Sequence, residues 1–207
     1  MRVGFDIDGV LHNFGNGCYD YLVATGRAEV WKSGDNLKPD WYFYKKFREP
    51  WTDEEFVQFC NDGVDAGYIF NGHVRDNAVA AVQAVKDAGH EIIVVTDRSF
   101  GTTPEVSEQR TIEWWNEFMF PWFDELHFSA DKTVGETDIF VEDKIANFEA
   151  LWDAGTPCYL VTRPWNEDFD AGEYRISDVI EYPKKVEQLA LGKRPDAQKL
   201  QYGRFVL

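Results

Sequence analysis

Asp6 and Asp8 stand two residues apart at the end of a short apolar run, in the stretch FDIDGV near the start of the chain. Side chains alternate between the faces of a strand, so the two carboxylates share a face if the strand reaches that far. Like charges at that separation repel unless a cation lies between them or one carboxyl keeps its proton. Taken alone, the pair also fits a strand running into an acidic surface turn. Further candidates follow later apolar runs: Thr96, Asp97, Arg98 and Ser99 after IIVV, Ser129-Ala130-Asp131-Lys132 after ELHF, and Glu142 with Asp143 closing DIFVED. Carboxylates from two of these places, a hydroxyl from a third and a lysine before a fourth make a donor set for a divalent cation and a phosphate group. Mg2+ suits it, because that ion takes oxygen ligands in an octahedron and keeps several waters.

Those residues are scattered over most of the chain, so the fold must gather them. The runs VGF, EIIVVT (91–96), ELHF (125–128), DIFVE (138–142) and CYLVT (158–162) are short and rich in β-branched or aromatic residues, which predicts strands. Between them lie helical patterns: VRDNAVAAVQAVKDAG stopped by Gly89, PEVSEQRTIEWWNEFM, and KIANFEALWDAG stopped by Gly155. Alternating strands and helices predict an α/β fold, a Rossmann-like parallel sheet covered on both faces. In such sheets ligands bind beyond the carboxyl ends of the strands, where the candidates fall. Residues 14–73 break the rhythm and hold many aromatics, which predicts a small helical cap inserted after the first strand. The expected organisation is a core of residues 1–13 and 74–182, a cap of 14–73, and a C-terminal surface extension of 183–207.

Composition narrows the function. The 207 residues carry 21 Lys and Arg against 37 Asp and Glu, a net charge of −16. That balance argues against a nucleic-acid polymer or an anionic membrane surface as partner. A phosphate ligand must then be captured locally, with a divalent cation. Cys18, Cys60 and Cys158 are odd in number and lack metal-ligand spacing, so they read as reduced and buried, which points to the cytoplasm. His12, His73, His90 and His127 have no ligand spacing either.

Asp6-Ile7-Asp8-Gly9-Val10, Thr96, Lys132 and Glu142-Asp143, in this order at strand ends, resemble the four signature motifs of the haloacid dehalogenase superfamily of phosphotransferases. The stretches DIDGVLHNF, with Phe14 after the turn, and ADKTVGETDIFVED resemble the corresponding segments of its 5'(3')-deoxyribonucleotidases, which carry a cap at the place of the aromatic-rich insertion. The resemblance implies a Mg2+-dependent hydrolysis of deoxyribonucleoside monophosphates. Asp6 would be the nucleophile that forms an aspartyl-phosphate, and Asp8 the acid and base, with its main-chain carbonyl as a metal ligand. Thr96, Asp97 (through its backbone amide) and Lys132 would hold the phosphoryl group. Asp143 would complete the metal site with Asp6 and Asp8, and Glu142 would be a supporting or alternate ligand. Phe14, Trp41, Tyr42 and Phe43 would stack on the base.

Other readings of the same residues stand beside these. Glu142 and Asp143 also suit the N-terminal end of a helix, whose dipole favours acids. The cap aromatics also suit a small core of their own, and Arg163, with Thr162 and Pro164, a surface or structural place rather than a catalytic one. The deoxyribonucleotidases have serine after the threonine, whereas Asp97 and Arg98 follow Thr96 here; Asp97 would turn away from the phosphate or pair with Arg98. A polynucleotide 3'-phosphatase and a small sugar-phosphate phosphatase remain as enzyme alternatives. An idle nucleotide-binding protein is the non-enzyme one, although both Asp6 and Asp8 are present. A homodimer stays open as the assembly.

Overall fold

A computed structural model describes residues 1–30, 43–47 and 49–193. The chain divides into two compact units, one formed by Met1–Leu11, Asp76–Asp97 and the residues from Phe120 onward, the other by His12–Arg75 and Arg98–Met119. The second unit thus takes in the predicted cap and also residues 98–119, which the sequence boundaries place in the core.

The first unit is built on a six-stranded parallel sheet. In chain order its strands are β1 (Arg2–Phe5), β2 (Glu91–Thr96), β3 (Glu125–Phe128), β4 (Ile139–Glu142), β5 (Cys158–Val161) and β6 (Arg175–Ile176), and their order across the sheet is β3-β2-β1-β4-β5-β6. Beyond the first residues of β1 and β2 the central strands are buried: Val3, Phe5, Ile92 to Val95 and Ile139 to Val141 have no exposed surface. Continuous apolar runs are what a sheet covered on both faces requires. The long jump from β1 to β2 carries the inserted segment, and β1 pairs with both β2 and β4 in register, Phe5 opposite Val94 on one side and Val141 on the other. The three strand ends that bear Asp6, Thr96 and Glu142 are therefore neighbours.

Three helices were legible as apolar patterns and a helical cap as an insertion; six α-helices are present among the described residues. Those of the first unit are α3 (Ala78–Asp87), α5 (Ile145–Asp153) and α6 (Tyr182–Ala190). The last corrects the expected surface extension at its start. Tyr182 is fully buried, meets Phe5 edge-on at 5.2 Å and donates its hydroxyl proton to the Gly4 carbonyl at 3.1 Å, while Val186 is also buried. Residues 194–207 of that extension lie outside the described residues.

The second unit contains α1 (Phe14–Ala24), α2 (Asp53–Asp65) and α4 (Pro104–Glu117). Thr52 opens α2 with a capping box: its side chain accepts from Glu55 N, and the Glu55 carboxylate accepts from Thr52 N at 2.8 Å. The core of this unit is largely aromatic. Phe14, Tyr44, Phe47, Phe56, Phe59 and Phe70 are all buried, and Tyr44 stacks on Phe56 with ring centres 4.0 Å apart. Cys18, Cys60 and Cys158 are buried and form no disulfide among the described residues, in keeping with their odd number and wide separation. No helix among the described residues is long and apolar enough to cross a membrane.

Candidate active site

The chain leaves β1 at Phe5 and turns at once: the amides of Val10 and Leu11 both donate to the Ile7 carbonyl, at 3.2 and 2.8 Å. Gly9 makes this turn with φ of +87°, and a Cβ there would lie 2.0 Å from Asp143 Oδ2. A side chain at position 9 is thus excluded twice, by backbone conformation and by the closeness of a carboxylate from the end of β4. The turn brings Asp6 and Asp8 to the carboxyl edge of the sheet, where both are buried or nearly so.

Lys132, in the 3-10 turn Lys132–Gly135 after β3, reaches the same place. Its ammonium, 3% exposed as a residue, donates to Asp6 Oδ1 at 3.0 Å and to the Val95 carbonyl at 3.1 Å. Thr96 ends β2 fully buried, and its hydroxyl has no hydrogen-bond partner among the described residues. Asp97, the next residue, is exposed. Arg98 belongs to the second unit, where its guanidinium is buried over the rings of Phe70 and Trp114 and donates to Thr111 Oγ1 at 3.4 Å.

Asp6, Glu142 and Asp143 form the acidic cluster: one carboxylate oxygen of each lies within 4.8 Å of the others, and all three residues are buried. The Asp8 carboxylate is not among the oxygens of this cluster. Glu142 is in the cluster itself. Its Oε1 accepts from the amides of Asp143 and Lys144, at 3.2 and 3.0 Å, and its buried Oε2 has no hydrogen-bond partner among the described residues. The amides at the start of the helix that follows are therefore one half of its environment and the cluster is the other, so the two readings of Glu142 on sequence are not exclusive.

Burial dominates the electrostatics. It raises the Asp6 carboxyl from 3.8 to about 8, against the opposing pull of Lys132 and with further upward push from Glu142 and Asp8. Burial likewise raises Glu142 to about 7, with Lys132 opposing. For Lys132 burial alone would favour the neutral amine, but the Asp6 and Glu142 charges and the hydrogen bond to Asp6 outweigh it, and Asp97 adds to them. The ammonium is held above its ordinary value. Three buried carboxyl groups suit a divalent cation: its charge replaces the protons that burial would otherwise keep on Asp6 and Glu142, and all the donors are hard oxygens. The unpartnered Glu142 oxygen and the partnerless Thr96 hydroxyl are the groups that a cation and a phosphoryl oxygen would satisfy.

These shifts carry a prediction. In chelator, Asp6 and Glu142 of the folded protein retain protons at pH values where the unfolded chain has lost them. Their contribution to stability is therefore fully present below about pH 4 and is lost as pH rises through about 7 to 8. Thermal unfolding in chelator should show this decline, and E142Q should flatten it. Added Mg2+ should raise the melting temperature more at about pH 8 than at about pH 6, because binding then displaces fewer protons. A stabilisation by Mg2+ that weakens with rising pH would count against this cluster as the ion's site.

Residues after β5 complete the surroundings. Arg163 donates through Nε to the Gly9 carbonyl at 2.5 Å and through Nη1 to its neighbour's carbonyl, that of Thr162, at 2.8 Å. The structural place considered for it is thus a clamp on the turn bearing Asp8. Trp165 and Asn166 were not singled out on sequence. The Trp165 indole N–H donates to Asp143 Oδ2 at 2.8 Å, and the Asn166 amide donates to the Asp143 carbonyl at 2.7 Å and the Val161 carbonyl at 2.9 Å. The readable signal was position: TRPWN directly follows a strand's carboxyl end in a parallel sheet, where loops carry function.

Of the predicted base contacts, Phe14 lies in the core of the second unit beside Phe70 and Phe100, at centroid distances of 6.2 and 6.1 Å. Phe43 packs edge-on against Phe56 at 5.4 Å. Trp41 and Tyr42 lie outside the described residues.

No protein-family model and no curated protein matches the chain. Solved structures do. A haloacid dehalogenase-like family hydrolase from Streptococcus pneumoniae aligns with a TM-score of 0.61 at 13% identity, over 89% of this chain and 97% of that one. A predicted phosphatase from Clostridium acetobutylicum aligns at 0.59 and 17% identity, over 90% and 98%. A mutant of CbbY from Rhodobacter sphaeroides in complex with xylulose-1,5-bisphosphate aligns at 0.52 and 14% identity, over 87% and 95%. At such identities the likeness concerns architecture. With its six parallel strands and their helices, the chain has the haloacid dehalogenase fold, an α/β Rossmann-like core.

Proposed function

We propose that this chain is a Mg2+-dependent phosphomonoesterase that works through an aspartyl-phosphate on Asp6. The observation that carries this reading is the buried contact of 3.0 Å between Lys132 and Asp6, set among the strand ends that also bring Thr96, Glu142 and Asp143. A carboxylate oxygen of Asp6 attacks phosphorus while the bond from phosphorus to the ester oxygen breaks, and Asp8 gives its proton to the departing alkoxide. Asp8, now a carboxylate, takes a proton from the water that attacks phosphorus in the second step. The bond from phosphorus to Asp6 then breaks, and inorganic phosphate leaves. Lys132 holds charge on the phosphoryl oxygens in both steps, and the Thr96 hydroxyl supplies a neutral donor beside it. Asp6, Glu142 and Asp143 would hold the Mg2+ with the Asp8 carbonyl, and the bound ion would supply Lewis-acid neutralisation of phosphoryl charge.

The finer reading is that the substrates are deoxyribonucleoside monophosphates, supported by the resemblance of DIDGVLHNF and ADKTVGETDIFVED to deoxyribonucleotidase segments. A small sugar phosphate is the second reading, favoured by the fold shared with a CbbY structure that carries a sugar bisphosphate. Phosphate release from a panel of ribonucleotides, deoxyribonucleotides, sugar phosphates and a 3'-phosphorylated oligonucleotide separates them. Base stacking by Phe14 adds a sharper test. Losing a stacking contact worth about 1 to 3 kcal/mol lowers kcat/KM for a nucleotide by roughly 5- to 150-fold in F14A, with little change for a small aryl phosphate. Because Phe14 is a core residue of its unit, the ratio of the two substrates on one preparation is the quantity to measure. An equal fall for both would assign Phe14 to packing alone.

A further inference from the structure

We propose that Trp165 is a positioning residue of the metal site, which fixes the rotamer of Asp143 without neutralising its charge. The inference rests on the proposed phosphatase reading, since it assigns a role within that site. The Asp143 carboxylate is held on two sides. Its Oδ2 accepts the indole proton of Trp165 at 2.8 Å, and the same atom lies so close to Gly9 that a Cβ there would be 2.0 Å away. The carboxylate is thus wedged between a backbone that can carry no side chain and an indole whose N–H points at it. The residue's backbone is held as well: the Asp143 carbonyl accepts from the indole at 3.2 Å and from Asn166 Nδ2 at 2.7 Å.

One loop commands both sides of this wedge. Arg163 ties the Gly9 carbonyl at 2.5 Å, two residues before Trp165 ties Asp143. Asn166, 1% exposed, joins the two: its Oδ1 accepts from the Arg163 amide at 3.0 Å and from Arg175 Nη1 at 3.1 Å, while its Nδ2 anchors to the end of β5 at the Val161 carbonyl. The separation between the turn that carries Asp8 and the carboxylate of Asp143 is therefore set by residues 163–166 and by the sheet beneath them.

The choice of an indole has a chemical reason. A lysine or arginine in contact with Asp143 would orient the carboxylate but also cancel the charge that a divalent cation needs. An indole N–H is a donor only, carries no charge and does not titrate. Holding one oxygen of the carboxylate fixes the direction of the other, as outer groups do around metal-binding side chains generally, where their loss costs about 10- to 100-fold in metal affinity.

Isothermal titration of the substrate-free protein with Mg2+ tests this. W165F keeps an aromatic ring, smaller than the indole, and removes the donor; its affinity for Mg2+ should fall by about 10- to 100-fold. The Mg2+ concentration for half-maximal phosphate release should rise by the same factor, with kcat at saturating Mg2+ close to wild type. An effect on packing alone would instead lower kcat at every Mg2+ concentration and leave the affinity unchanged, which overturns the proposal. Independently of any variant's folding, wild-type protein carrying 15N-labelled tryptophan should show an indole N–H resonance that moves with Mg2+ along the calorimetric binding curve. No indole resonance moving would also overturn it. If wild type binds Mg2+ and W165F binds it equally well, only the role of Trp165 falls; if wild type binds none, the metal-dependent reading falls with it.

Discussion

Asp6→Asn is expected to lower kcat for phosphate release by about 10,000-fold or more, with the circular dichroism spectrum unchanged and thermal stability in chelator equal to or above wild type. The loss follows from chemistry rather than fold. An amide oxygen is a feeble nucleophile toward phosphorus and a weaker cation ligand than a carboxylate. The retained or improved stability follows from the environment: Asp6 is buried with its carboxyl raised to about 8, so removing it relieves a desolvated acid beside Glu142 and Asp8. Lys132 loses its carboxylate partner but keeps the Val95 carbonyl at 3.1 Å and the field of Glu142. Full activity in this variant would dismiss Asp6 as nucleophile, and a collapse of the fold would mean that its contact with Lys132 is chiefly structural.

The second large effect concerns Asp8, and here the substrate decides the size. In D8N the leaving alkoxide departs without a proton, so an alkyl ester such as a nucleoside monophosphate should lose about 100- to 10,000-fold in kcat. A nitrophenyl phosphate, whose leaving group needs no proton, should form the aspartyl-phosphate at a nearly normal rate. Its hydrolysis is then slowed, because the water has lost its base. A rapid burst of nitrophenol followed by slow turnover is the expected time course. Equal, burst-free losses on both esters would remove Asp8 from proton transfer. They would fit instead a role in shaping the turn that Gly9 completes and Arg163 clamps.

Much of this arrangement was legible in the chain, for physical reasons that also mark where legibility ends. The first five strands were found because a parallel sheet buried on both faces demands unbroken β-branched or aromatic runs, as in EIIVVT. The sixth strand was missed: Arg175–Ile176 has two residues, too few to show any period. The helix Tyr182–Ala190 was read as surface because its anchoring depends on Tyr182, which precedes the apparent extension and spends its hydroxyl on β1. Asp6, Asp8, Thr96, Lys132 and Asp143 stood out as candidates because position at a strand's carboxyl end is a statement about sequence order. The place of Glu142 could not be decided that way, since an acid before a helix satisfies its amides and a metal site alike, and only burial of both oxygens distinguishes one use from two. The aromatic-rich insertion shows the same limit from the other side. Composition counts rings, but it does not show that Tyr44 stacks on Phe56 inside the unit's own core.

The central claim is covalent: phosphate passes through the carboxylate of Asp6. Mixing enzyme, Mg2+ and a good substrate, quenching in acid within a turnover and treating with borohydride converts an acyl phosphate to the corresponding alcohol. Peptide mass spectrometry then reads the position. The account predicts homoserine in place of Asp6, dependent on substrate and strongest in D8N, where hydrolysis of the intermediate is slowed. Homoserine at a different carboxylate, or an unmodified Asp6 in D8N while nitrophenol is being released in a burst, would contradict it.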